Sequence, residues 1–371
     1  MEPRKLLSSL FYFSLLSLLS ANQQVVDSAH HHHHHRHRHL FDFRPSKLFV
    51  FGDSYADTGN IGRSLAGSWK QPYGITFPGK PAGRFSDGRV LTDYLVEIGT
   101  ALLLIAAKFV GIKSPIPYKF RRVGGKHLRN GMNFAYGGTG VFQSTSPLPN
   151  MTTQIGFFQQ LIKEGVYNSL ELQQSSVALL VLSGNDYSAY ISKNGSSQGF
   201  PSFITQVVNQ LVLNLKMIQE LGLKKIAVTT LQPLGCLPFS TAASSFQQCN
   251  GTQNALVNLH NLLLQQAVAK LNNETTNDHS TFVILDLNTA FMTVFTNKGD
   301  HLGSTRFENP LKPCCVGISN GDVCGSVDES GTKKYTVCEN PEAAFFWDTV
   351  HPTQAGWRSV YSALQANLQQ L

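Results

Sequence analysis

Charge is scarce in this sequence. Only 14% of its 371 residues are Asp, Glu, Lys or Arg, and no block of Lys and Arg is interleaved with aromatics. The balance of 30 basic against 23 acidic side chains leaves a formal +7. Over this length that describes solubility and a mild attraction to acidic surfaces, and it argues against a nucleic-acid partner. Cysteine is sparse too: there are six, none in a CxxC pair or flanked by histidine, which argues against a structural zinc site. No apolar run reaches the ~20 residues of a membrane-spanning helix. Strict apolar–polar alternation is missing as well, so half-exposed antiparallel strands are not the dominant element.

What is present begins with an address. Arg4 and Lys5, the apolar stretch LLSSLFYFSLLSLLS at 6–20 and the small Ala21 predict a secretory signal peptide over 1–21, with no stable membrane insertion once it is removed. Asn150, Asn194, Asn250 and Asn273 each open an Asn-x-Ser/Thr tripeptide and are candidate glycosylation sites. Cys236, Cys249, Cys314, Cys315, Cys324 and Cys338 form an even set, four of them within 314–338 in a loop-rich segment. In an oxidising compartment they read as disulfides, with roughly 15 pairings open. Behind the signal, 22–46 is predicted to be a disordered arm containing the histidine- and arginine-rich tract from His30 to His39. Such a tract can hold zinc, copper or nickel adventitiously, but its position argues against a catalytic metal. The remaining 47–371 is accommodated as one decorated α/β domain.

From Lys47 onward, short apolar runs alternate with helical patterns. KLFVF (47–51), MNFAY (132–136), VALLVL (177–182), KIAVTTL (225–231) and FVILDL (282–287) are apolar on successive residues, as strands covered on both faces are. Between them, Ile204, Val208, Leu211, Leu215, Ile218 and Leu221 recur at three- and four-residue steps and Gly222 closes the segment. Residues 252–271 behave alike, and the tail from Pro352 reads as a last helix. This alternation predicts a three-layer α/β/α fold around a mainly parallel five-stranded sheet, with functional groups at the carboxyl ends of the strands. Ser54, Gly137 and Asn185 each follow a predicted strand.

Two short motifs carry candidate chemistry. At Gly52-Asp53-Ser54 the chain leaves a strand and turns toward a predicted helix, which exposes a hydroxyl beside free backbone amides. Taken alone, Asp53-Ser54 reads as a helix cap. Near the C-terminus, Asp348 and His351 stand three residues apart, so one loop can hold a base and the carboxylate that orients it. Taken alone, that pair is also explained by a cap. His127, His260, His279 and His301 read as solvated or structural. Phe77, Phe85, Tyr136 and Tyr187 read mainly as core, with an acyl-pocket role as the alternative.

The ordered blocks GDSYADTGN (52–60), FPGKPAGRFSDGRVLTDY (77–94), NFAYGG (133–138), SGNDY (183–187) and DTVHP (348–352) resemble the plant GDSL esterase/lipase family of the SGNH hydrolase superfamily, over roughly 47–368. The resemblance implies the flavodoxin-like SGNH fold and a carboxylic ester hydrolase without metal or organic cofactor. It implies Ser54 as nucleophile, His351 as base and Asp348 as its orienter. The oxyanion hole would come from the Ser54 amide, the Gly137 amide, with Gly138 as the alternative in the doublet, and the Asn185 side chain. Pairing of Cys236 with Cys249 and bridges within the PCC…CG…C segment follow from the same resemblance. So do an extracellular place in the cell wall or apoplast and an ester substrate borne by a small molecule or a polysaccharide. Two departures stand out. Ser183 replaces a family glycine before Asn185, and TALLLIAA at 100–107 is an apolar insert, either a lengthened core helix or a gene-model artefact. The rival readings are a catalytically silent carbohydrate- or lipid-binding protein on the same scaffold, and an acyltransferase.

Overall fold

The computed structural model describes residues 45–96, 114–144, 147–274, 281–297 and 307–371. The signal segment, the histidine tract, the insert at 100–107, His279 and His301 lie outside the described residues. All five apolar runs become strands, and a sixth short one joins them. The strands are β1 Lys47–Gly52, β2 Ile116–Pro117, β3 Gly131–Asn133, β4 Ser176–Val181, β5 Lys225–Thr229 and β6 Phe282–Leu285. They form one parallel sheet in the order β2-β3-β1-β4-β5-β6. The expectation of five strands is thus corrected to six. A two-residue edge strand is too short for hydrophobic periodicity to register. Without it the order is the doubly wound one of flavodoxin-like folds.

Alternate residues of each strand point to opposite faces, and both faces are packed. Phe49, Phe51, Ala178, Leu180, Ile226 and Val228 belong to one continuous buried cluster. Helices α1 Leu91–Val96, α2 Met151–Lys163, α3 Asn185–Ser192, α4 Phe200–Glu220, α5 Gly251–Glu274, α6 Leu287–Thr296 and α7 Gln354–Ala363 supply the outer layers. From α4, Ile204, Val207, Leu211, Leu215 and Ile218 enter that cluster, and from α2, Ile155, Phe158 and Leu161. Burying each such side chain stabilises the fold by about 1.5–3 kcal/mol. The opposite strand residues, Leu48, Val50, Leu179 and Ala227, are equally buried, as are Phe291 of α6 and Trp357 and Val360 of α7.

Beyond the sheet, β7 Cys315–Gly317 and β8 Tyr335–Val337 form an antiparallel pair. Three disulfides are present: Cys236–Cys249, Cys314–Cys338 and Cys315–Cys324. The last two pack with Tyr73, Tyr335 and Trp347 in a separate small core. Backbone amides of Cys314 and Cys315 donate to the carbonyls of Phe346 and Trp347. The disulfide segment therefore buttresses the stretch that leads into Asp348.

Candidate active site

Block one leaves β1 at Gly52, whose φ of 140° and close approach to β4 leave no room for a side chain. A Cβ there would lie 2.2 Å from the Val181 carbonyl oxygen. Residues Asp53–Asp57 then form a tight turn, with the Ala56 and Asp57 amides donating to the Asp53 carbonyl at 3.1 and 2.9 Å. The helix expected after Ser54 is replaced by this turn. The reason lies in Asp57, whose carboxylate accepts the amides of Gly59 at 2.7 Å, Asn60 at 2.6 Å and Ile61 at 3.3 Å and curls the chain on itself.

The turn presents Ser54, 5% exposed, to the C-terminal loop. Its Oγ lies 2.8 Å from His351 Nε2, although 297 positions separate the two residues. His351 Nδ1 lies 2.9 and 2.8 Å from the two Asp348 carboxylate oxygens. Asp348 Oδ1 also accepts the backbone amides of Val350 and His351, each at 2.8 Å. Tyr73 donates its hydroxyl to Asp348 Oδ2 at 2.7 Å. Burial pushes the Asp348 carboxyl upward, but the facing His351 and these hydrogen bonds outweigh it and hold the group below its ordinary value. Burial, and then the neighbouring Asp348 charge, push the Tyr73 phenol well above its own.

The sequence reading assigned no role to Tyr73, and within the long FPGKPAGRFSDGR block it read only Phe77 and Phe85, mainly as core. Here the block straps the loop that carries His351. The Phe85 ring stacks on the His351 ring at 4.9 Å and 29°. Ser86 Oγ donates to the Pro352 carbonyl at 3.1 Å, and the Gln354 amide donates to Asp87 Oδ1 at 2.7 Å. Arg84 forks onto Asp93 of α1 with two bonds of 2.8 Å. From block one itself, Tyr55 donates its hydroxyl to the Val350 carbonyl at 2.9 Å and packs edge-on against Trp357. The Thr353 hydroxyl caps α7 by accepting the Gly356 amide at 2.9 Å.

The two glycines of the doublet stand in different surroundings. The Gly137 amide donates to buried Asp57 Oδ2 at 3.0 Å and so is already committed. A side chain there would also meet the Phe85 ring, 2.4 Å from an added Cβ. Gly138, at φ 79°, makes no hydrogen bond among the described residues through its amide, and neither does the Ser54 amide. The doublet is therefore split: Gly137 ties the loop to Asp57, and Gly138 presents the open N–H. Asn185 begins α3, with Nδ2 at 3.0 Å from the Thr139 carbonyl and 3.1 Å from Asp53 Oδ2.

Asp53 collects its own donors. Ser183 gives it both its amide, at 2.6 Å, and its hydroxyl, at 2.7 Å. The replacement of a family glycine by Ser183 thus adds a hydrogen bond and leaves Asn185 at the head of its helix. Burial pushes the Asp53 carboxyl up to about 6, against the pull of Ser183 and Tyr55. Underneath, Gln154 of α2 binds both backbone groups of Gly52: it accepts the amide at 2.8 Å and donates to the carbonyl at 2.9 Å.

The other singled-out residues fall elsewhere. His260 is buried, with Nδ1 2.6 Å from the Tyr187 hydroxyl, and burial pushes its ring down to about 3. His127 is exposed. Asn194, Asn250 and Asn273 are exposed and Asn150 is partly so. Asn150 caps α2 through its side-chain oxygen, which leaves its amide nitrogen uninvolved in that bond. Among the described residues, no group of three or more His, Cys, Asp or Glu side chains is arranged to hold a metal ion.

Two Arabidopsis thaliana proteins, each named a GDSL esterase/lipase, are similar to this chain. One is 61% identical over 98% of this chain and 97% of its own length, the other 52% over 99% of each. A solved structure, an acetylxylan esterase from Geobacillus stearothermophilus, aligns over 88% of this chain and 95% of its own at 12% identity, with a TM-score of 0.36. The model of the GDSL-like lipase/acylhydrolase family matches residues 48–364, essentially the whole folded part, and the chain belongs to that family.

Proposed function

We propose that this ester hydrolase works through an acyl-Ser54 intermediate. The observation that carries the reading is the continuous line from Asp348 through His351 to Ser54, with contacts of 2.8 Å at each step. Ser54 Oγ attacks the ester carbonyl carbon while its proton passes to His351 Nε2. Asp348 fixes the tautomer and stabilises the cationic ring. The negative oxygen of the tetrahedral intermediate takes hydrogen bonds from the Ser54 amide, from Asn185 Nδ2 and from the Gly138 amide in place of Gly137. The carbon–oxygen bond to the alcohol breaks and the departing oxygen takes the proton from His351. Water then repeats the sequence on the acyl enzyme, releasing the acid and restoring Ser54. No metal or organic cofactor enters any step.

Ser54→Ala assayed against p-nitrophenyl esters tests this. Activity should fall by at least ~10³-fold, and equal activity in the two proteins would overturn the mechanism. Intact Ser54, His351 and Asp348 favour catalysis over a silent binding role. Secretion to the cell wall or apoplast belongs to the same reading, supported by the leader at 1–21 and three disulfides. N-terminal sequencing of protein recovered from medium, and a mobility shift on removal of N-glycans, check secretion and use of Asn150, Asn194, Asn250 and Asn273.

A further inference from the structure

A cavity of about 160 Å³ opens between α3, the start of α4, α5 and the loop after β5. Its wall begins at Gly184, directly before Asn185, and continues through Tyr187 and Ile191. Across from these stand Leu234, Leu237 and Phe239. The far wall is fixed in place: Cys236 is bonded to Cys249, the Gly235 amide donates to Asn254, and the Phe239 amide donates to the Thr349 carbonyl at 2.9 Å. Thr349 lies between Asp348 and His351, so the cavity and the base share one framework.

The chemistry of the lining restricts what could occupy it. No charged side chain takes part. Of the polar ones, Ser240 and Gln253 bond each other at 2.6 Å and Tyr187 is engaged with His260. Only Ser188, on the exposed side of α3, remains at the edge. Beyond the Ser188 hydroxyl at the edge and the Gln253 amide nitrogen, a sugar hydroxyl or a phenol inside would find no replacement for the hydrogen bonds it gives up to water, whereas a hydrocarbon chain would lose nothing. At the mouth, Ile191 and Phe239 are large apolar side chains left 61% and 75% exposed among the described residues.

Resting on the acyl-Ser54 reading, we propose that this cavity is the acyl subsite and that it selects chains of medium length. Its volume is close to the ~150 Å³ of an apolar cavity that takes up benzene, which corresponds to about six to eight carbons. Acetyl esters would leave it empty, and long fatty chains would have to run out past Phe239.

The test compares kcat/KM for p-nitrophenyl acetate, hexanoate, octanoate and palmitate in native protein and in Ser188→Trp, whose bulk would enter the cavity from the exposed side of α3. Each buried methylene is worth roughly fourfold, so octanoate should exceed acetate by at least ~10²-fold and palmitate should fall below octanoate. In Ser188→Trp the octanoate-to-acetate ratio should drop at least ~10-fold. A second arm uses Ser54→Ala and measures octanoate binding by calorimetry, with Ser54→Ala/Ser188→Trp as the comparison; binding should weaken at least ~10-fold in the double variant. Ester cleavage with a flat chain-length profile and a ratio unmoved by Ser188→Trp would overturn the subsite and leave the hydrolase reading standing. If no ester were cleaved, the mechanism would fall, and the binding arm alone would decide: equal octanoate binding, or none, in the two Ser54→Ala proteins overturns the subsite.

Discussion

The carboxylate of Asp348 shows how a single residue is set for its task. Four donors converge on it: two backbone amides, the His351 ring and the Tyr73 hydroxyl. Because the group is buried, each donor offsets part of a large desolvation cost, and removing one leaves an unsatisfied lone pair. Tyr73→Phe keeps the ring and deletes only the hydroxyl, so kcat should fall about 10-fold with KM changed less than about twofold, read from initial rates on one ester. Asn185→Ala should cost more, about 10²–10³ in kcat, because it removes one of the proposed oxyanion donors. At this scale the sequence was legible in part. Ser54, His351 and Asp348 lie in short blocks whose resemblance to a known family implied their roles, whereas Tyr73 is one tyrosine among 11, and its partner lies 275 positions away. Nothing local separates Gly137 from Gly138 either. Their difference arises from Asp57, which is itself brought near by the turn after β1.

Among the elements, strands and long helices followed directly from pattern. Runs apolar on every residue became β1, β4, β5 and β6, and the 3.6-residue stripe of α4 was read to within two residues at each end. The edge strand β2 was not read, since two residues carry no period. The segment after Ser54 was misassigned because Asp57 satisfies the local amides with its side chain, which competes with helix formation. The disulfide-bearing segment has little regular structure and is defined by what it supports: Cys314 and Cys315 hold the backbone of Phe346 and Trp347, immediately before Asp348. Replacing Cys314 and Cys338 together by Ser opens a loop of 24 positions in separation. Stability should drop by about 3 kcal/mol in urea denaturation. Because Trp347 packs in the same small core as Tyr73, kcat should fall as well, at temperatures where the variant remains folded.

Over the whole molecule, buried carboxylates set the response to pH. Asp53, Asp57, Asp87 and Asp186 are all raised, in each case chiefly by burial, and Asp53 reaches about 6. A carboxyl raised on folding contributes stability that is fully present below its unfolded value near ~3.9 and is lost as pH climbs through the folded one. Asp348 has the opposite sign, so its contribution is present above the unfolded value and disappears only as strong acid protonates it. His260 works the other way: burial pushes its ring down to about 3, so below ~6.5 the unfolded imidazole takes a proton that the folded one refuses. From pH 7.5 down to pH 5, Asp53 alone adds about 1.4 kcal/mol to stability, on the order of 2–3 °C for a chain of this size. Scanning fluorimetry of native protein and Asp53→Asn side by side isolates it: the native melting temperature should gain on that of the variant by about this amount as pH falls from 7.5 to 5. A native protein that loses ground to the variant over the same interval would contradict the assignment.

The distance along the chain between Ser54 and His351 also has a meaning in time. The sheet is complete once β6 has been made, at Leu285, and the nucleophile and oxyanion donors precede it. The proposed base His351 and its carboxylate Asp348 come after it, and their loop is held by Tyr73, Phe85, Ser86 and Asp87, all made long before. A chain still emerging from the ribosome thus carries a receptive surface awaiting the segment from Asp348 to Gln354. On the proposed mechanism it cannot attack an ester until that segment has been made and docked.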